Sequence, residues 1–102
     1  MNILSVKDTA SRLEDLLRRY AATDVEAQSL LSTLSALIVD ARSGRITHPL
    51  EWRDIPGSRS FTEGGLGKYG DLETAFADFR IEITGGETPV LRDLRQSRDR
   101  KQ

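Results

Sequence analysis

Thr23-Asp24-Val25-Glu26-Ala27-Gln28-Ser29-Leu30-Leu31-Ser32-Thr33-Leu34-Ser35-Ala36-Leu37-Ile38-Val39-Asp40-Ala41-Arg42 is the stretch that decides the fold. Ala27, Leu30, Leu31, Leu34, Leu37, Ile38 and Ala41 recur at the spacing that lines one face of an α-helix. Thr23-Asp24-Val25-Glu26 reads as a capping box, with two acids facing the positive end of the helix macrodipole. Arg42 falls in the last turn, and Gly44 stands where a left-handed residue ends a helix. Upstream, Val6, Ala10, Leu13, Leu17 and Tyr20 form a second stripe at helical steps, widened by Leu16. Ser5-Val6-Lys7-Asp8 matches a capping box there, and Arg12, Glu14, Asp15, Arg18 and Arg19 fall largely to the wet side. The connection around Ala21–Thr23 is short, so the two helices must lie antiparallel, stripe to stripe.

Downstream of Gly44 no period persists until about residue 70. Pro49, Pro56 and Gly57 punctuate this segment, and Ile46, Leu50, Trp52, Ile55 and Phe61 are its apolar anchors. A structureless loop of that length is uncommon in a compact domain, so the segment reads as an ordered loop with one short strand near Arg59–Thr62. Trp52 is expected to pack on the helical hairpin. Leu72, Ala75, Phe76, Phe79 and Ile83 then follow helical steps behind Asp71 as N-cap, with Gly85-Gly86 as the stop. Phe79-Arg80-Ile81-Glu82-Ile83-Thr84 also alternates as a strand would. The longer pattern and its caps favour helix. Thr88-Pro89 opens a last helix carrying Val90, Leu91 and Leu94, and residues 96–102 form a basic tail expected to fray. The fold class is therefore mainly α, with α+β left open by residues 79–84. One domain spans residues 1–102, ordered from about 5 to 95.

Composition sets bounds on function. The 102 residues carry a net charge of -1 and 30% charged side chains, so no global field draws the chain to nucleic acid or membrane. The absence of cysteine excludes disulfides, thiol catalysis and thiolate metal sites. The N-terminus lacks the apolar core of a signal peptide, and no run approaches a membrane span, which makes the cytoplasm the expected compartment. Residues 61–88 are locally acidic, net -4, through Glu63, Asp71, Glu73, Asp78, Glu82 and Glu87 against Lys68 and Arg80. Residues 92–102 are basic, net +3, but hold no aromatic side chain to stack on bases, which disfavours nucleic acid as a partner.

Glu63-Gly64-Gly65-Leu66-Gly67-Lys68-Tyr69-Gly70-Asp71-Leu72 is the stretch that bears on function. Its glycines imply a position of positive φ or of close backbone approach. Gly65–Gly70 satisfies G-x-G-x-x-G, which in a dinucleotide site brings backbone N–H groups to a pyrophosphate. Here the segment ahead of it is polar rather than a buried strand, Glu63 and Asp71 would repel phosphate, and no Ser or Thr follows Lys68 as a P-loop requires. His48 is the sole histidine, with Glu51, Asp54, Ser58 and Ser60 close in sequence but without a nucleophile elbow. Asp71, Glu73 and Asp78 lack the spacing of a metal loop. The reading is a non-enzymatic chain without cofactor or metal. Its candidate partner-binding residues are Glu63, Gly64, Gly65, Gly67, Lys68, Tyr69, Asp71 and Glu73. The alternative is a small-ligand or nucleotide-binding module built on the same glycine loop.

The run Gly64–Leu72 also resembles a G-G-M-G-S-F-N-D-L signature of a family of small bacterial cytoplasmic proteins of undefined function, some of them immunity-like. Gly64, Gly65, Gly67, Asp71 and Leu72 match it; Leu66 and Tyr69 are conservative replacements; Lys68 and Gly70 depart from it. The resemblance implies a protein partner, and an acidic rim favours a basic one. Surplus leucine at Leu16 and Leu31 leaves both a monomer and a homodimer open.

Overall fold

A computed structural model describes residues 3–85, apart from the side chain of Trp52. The architecture is helical, with no strand among the described residues. It runs α1 (Ile3–Ala21), α2 (Val25–Arg42), a 3-10 turn (Trp52–Asp54), α3 (Ser58–Thr62), a second 3-10 turn (Leu66–Lys68) and α4 (Gly70–Ile83). The helix expected at Thr88–Pro89, the basic tail and the packing of the Trp52 indole lie outside the described residues.

The first two helices form the antiparallel hairpin that their stripes require, and α1 is the element on which both α2 and α4 lie. Val6, Ala10, Leu13, Leu16 and Leu17 of α1 are buried, as are Ala27, Leu30, Leu34, Ile38 and Ala41 of α2. Leu31 and Leu37 lie half-buried against the same core. Each fully buried leucine contributes roughly 1.5–3 kcal/mol. The surplus leucine at Leu16 is thus covered within the chain.

Both N-terminal caps differ from expectation. The helix is already under way at Ile3, so Ser5 lies inside α1 and does not cap it. The N-cap of α2 is Asp24 rather than Thr23, because its extended backbone lets the carboxylate accept from the N–H groups of Glu26 and Ala27 at 2.9 and 3.3 Å. At the other end the Arg45 N–H reaches the Asp40 carbonyl and the Gly44 N–H that of Ala41, a Schellman closure.

Glu14 is also corrected: it is buried, not on the wet side. It stands four residues after Ala10 and three before Leu17, which puts it at the edge of the α1 stripe. Its carboxylate is held by Arg42 of α2 and by Arg18 one turn on. A buried carboxylate with charged partners is tolerated, and here it ties the two helices together.

The segment from Ser43 to Tyr69 is an ordered connection draped over the bundle. The Leu50 N–H donates to the Ile83 carbonyl at 2.8 Å, and Ile55 is buried. Arg59–Thr62, expected as a short strand, is part of α3. That turn lays Phe61 on Phe76, rings stacked with centroids 4.9 Å apart. No neighbouring strand offers a ladder, so the backbone closes its hydrogen bonds locally.

Residues 70–83 resolve as helix. Leu72, Ala75, Phe76, Phe79 and Ile83 are all buried on one face of α4, and Ile81 lies off it. The alternation in 79–84 is overridden because Phe79 and Ile83, one turn apart, both reach the core. Asp71 is not the N-cap. Tyr69 holds that position, and Asp71 sits in the first turn, its carboxylate accepting the Leu72 N–H at 2.8 Å. Beyond Ile83, Gly85 takes a positive φ and ends the helix as expected.

Candidate functional site

The α1–α2 corner and the start of α4 meet at two aspartates and two tyrosines. Asp24 is there because a helix N-terminus needs an acceptor for its orphan N–H groups. Asp71 lies in the first turn of α4 for the same electrostatic reason. Tyr20 ends the α1 stripe, and Tyr69 precedes α4. The two rings stack, centroids 4.1 Å apart and planes 23° from parallel. Each hydroxyl then crosses to the other helix's acid. Tyr20 donates to Asp71 and Tyr69 to Asp24, both at 2.7 Å. The result is a crossed clasp that locks the end of the glycine loop onto the hairpin.

A second fastening lies beside it. The Gly65 N–H donates to the Glu26 carboxylate at 2.6 Å. Lys68 sets its ammonium 5.2 Å from the centre of the Tyr69 ring, within cation–π range. Leu66, between them, is fully buried. None of the glycines of the run takes a positive φ, so their common reason is not backbone conformation. At Gly67 it is close approach: a Cβ there would stand 2.6 Å from the Phe61 carbonyl oxygen. Gly64 is confined in the same way, by the Glu26 carboxylate and the Ser60 carbonyl. At Gly70 the space is open.

The clasp perturbs all four titratable groups. The hydrogen bond from Tyr69 holds Asp24 below the usual carboxylate range, helped by the Ala27 and Glu26 amides and by Lys68, against some desolvation. The hydrogen bond from Tyr20 does the same for Asp71. Both phenols are pushed up, chiefly because donating to an aspartate requires the proton. The depressed acids contribute stability that is complete above their ordinary value of 3.8 and lost as pH falls through their folded values. The raised phenols contribute stability that is complete below 10.0 and lost as pH rises through their folded values. A Tyr20→Phe/Tyr69→Phe double variant should therefore melt below the parent at neutral pH. The gap should narrow below about pH 4 and above about pH 10. Circular-dichroism melts across pH check this; melting curves that stay parallel at both extremes would exclude the clasp.

Of the residues singled out from the sequence, Gly65, Lys68, Tyr69 and Asp71 are brought together in this corner. Glu63 and Glu73 stand exposed at its edge, with Glu63 closing α3 and Glu73 in the first turn of α4, its carboxylate near Gly67. Sequence reasoning missed Tyr20, Asp24 and Glu26 as their partners. Asp24 and Glu26 carried a capping signal, and Tyr20 a stripe signal; nothing in either announced a contact with the loop. His48 is exposed, and it does not line the groove where Ser58 and Ser60 lie. Among the described residues, no group of histidine, aspartate and glutamate side chains is placed to hold a metal ion. No described helix is long and apolar enough to cross a membrane. The chain matches no protein-family model, no curated protein and no solved structure.

Proposed function

We propose that this chain is a non-enzymatic bacterial protein-binding module, immunity-like and cytoplasmic, which presents the glycine loop and its acidic rim to a basic protein partner. The observation that carries the reading is the crossed tyrosine–aspartate clasp. It fastens the loop in one shape, so little ordering entropy remains to be lost on docking. Asp24, Glu26, Glu63, Asp71 and Glu73 then surround the loop, against Lys68 and Arg19. Such a field speeds the approach of a cationic surface. The nucleotide alternative draws no support from the geometry. Its fingerprint needs free loop amides, and the N–H groups of Gly64, Gly65 and Tyr69 are bonded to Arg59, Glu26 and Leu66. Its preceding strand is helix α3.

The test is titration of the chain with a panel of small basic proteins, poly-L-lysine serving as the control for bare charge. One-to-one binding that weakens with salt and is lost in Glu63→Lys/Glu73→Lys is expected. Those two side chains are exposed, so their reversal leaves the fold in place. Binding that ignores the reversal, or equal affinity for poly-L-lysine, would remove the loop as the recognition surface.

A further inference from the structure

A groove of about 360 Å³ opens between α2 and the connection that runs through Arg53 to Ser60. That size falls at the lower end of small-molecule sites. Its apolar lining is buried Leu30 and Ile55 with exposed Pro56. Ser29 and Thr33 of α2 line one side, and Ser58 and Ser60 the other. Arg53 and Arg59 complete the lining, and no acidic residue is part of it. Neither arginine has an acid as ion-pair partner among the described residues, a condition they share with Arg12 and Arg19, which do not line the groove. Two arginines at one groove with no acidic residue in its lining are complementary to an anion with several acceptor oxygens.

We infer that this groove binds a small phosphorylated sugar or polyol. The guanidinium pair takes the phosphate dianion with charge-assisted bonds, which planar, multi-donor arginine suits better than lysine. The serine and threonine hydroxyls exchange hydrogen bonds with the ligand's hydroxyls. Leu30, Ile55 and Pro56 receive the C–H face of its carbon skeleton. The site uses none of the residues of the acidic corner, so it stands or falls independently of the protein-binding reading.

The experiment is a titration of the ¹⁵N-labelled full chain with glucose 6-phosphate, and separately with glucose, at physiological salt. Saturable amide shifts confined to residues 29–33 and 53–60 are expected with the phosphate ester and not with glucose. Arg53→Gln and Arg59→Gln should each weaken binding about tenfold or more, the range of one charged hydrogen-bonding group. Both side chains are exposed, so melting curves should not move. Lys68→Gln should bind as the parent does. The inference is overturned by shifts absent at millimolar ester, by shifts centred on residues 92–102 or on the glycine loop, or by affinity indifferent to both arginine substitutions.

Discussion

Gly57→Ala is expected to destabilise the protein by about 2–5 kcal/mol, combining a strained backbone with an overpacked core. The residue sits at φ 114°, ψ -12° as the N-cap of α3, a conformation that side chains rarely adopt. Its position compounds the strain. A Cβ there would lie 2.6 Å from Leu30 Cδ1 and 3.2 Å from Phe76 Cε1. Leu30 is buried in α2 and Phe76 is buried in α4 under Phe61, so neither can step aside cheaply. The chain must bare its backbone at Gly57 to turn from Pro56 into α3 while lying directly on the core. For a domain of this size the whole folding free energy is only about 5–15 kcal/mol, so the loss would be a large fraction of it. Gly70→Ala is the counterpart. It lies in the glycine run, without positive φ and with no atom within 4 Å of the added carbon. It opens α4, where alanine should stabilise by about 0.4–1 kcal/mol through the unfolded chain. Urea unfolding of the two variants beside the parent decides the matter. Equal effects of the two substitutions would mean that the draped connection does not contact the core as described.

That contrast shows what could be read from the sequence and what could not. The helical stripes of α1, α2 and α4 were legible because periodicity over fourteen or more residues leaves one solution. Even the competition at Phe79–Thr84 resolved in favour of the longer pattern. Glycine density, by contrast, points to the run at 64–70, whereas the isolated Gly57 is the one described glycine that joins a positive φ to a Cβ contact under 3.0 Å. Density measures composition; constraint depends on what the fold places opposite the missing side chain. The short elements failed for a related reason. Five residues at 58–62 contain too little period to separate a helical turn from a strand, and tertiary contact between Phe61 and Phe76 decides it. The clasp was illegible because its partners are 51 and 45 residues apart in the chain. Each of its aspartates has a sufficient local explanation as a helix-start acid, and that explanation hides the second role. Glu14 is different. Its place beside Ala10, Leu13 and Leu17 on the helix was available from the spacing, and its charge alone sent it to the wrong face.

Leu66→Ala is the second large effect, and it separates a presented surface from a tether. Within the glycine run, Leu66 is fully buried, on a 3-10 turn whose end is closed by the Tyr69 N–H donating to its carbonyl. Truncating a leucine at such a site costs about 2–5 kcal/mol, depending on how far the cavity collapses. The consequence goes beyond stability. Leu66 lies between the Gly65–Glu26 hydrogen bond and the Tyr69–Asp24 bond, so it is the apolar anchor on which both polar fastenings depend. Loss of the anchor should raise amide exchange at residues 63–70 by more than the global loss of stability explains. Exchange within α1 and α2 should rise only in step with that global loss. The same variant should weaken binding to a basic partner although no charge has changed, because the acidic rim would then be carried on a mobile support. Tyr20→Phe/Tyr69→Phe should move exchange in the same segment in the same direction, since it releases the other end. If Leu66→Ala instead lowers protection evenly across α1, α2 and α4 and leaves the loop no looser than the rest, then Leu66 is ordinary core. The clasp alone would then set the shape of the loop.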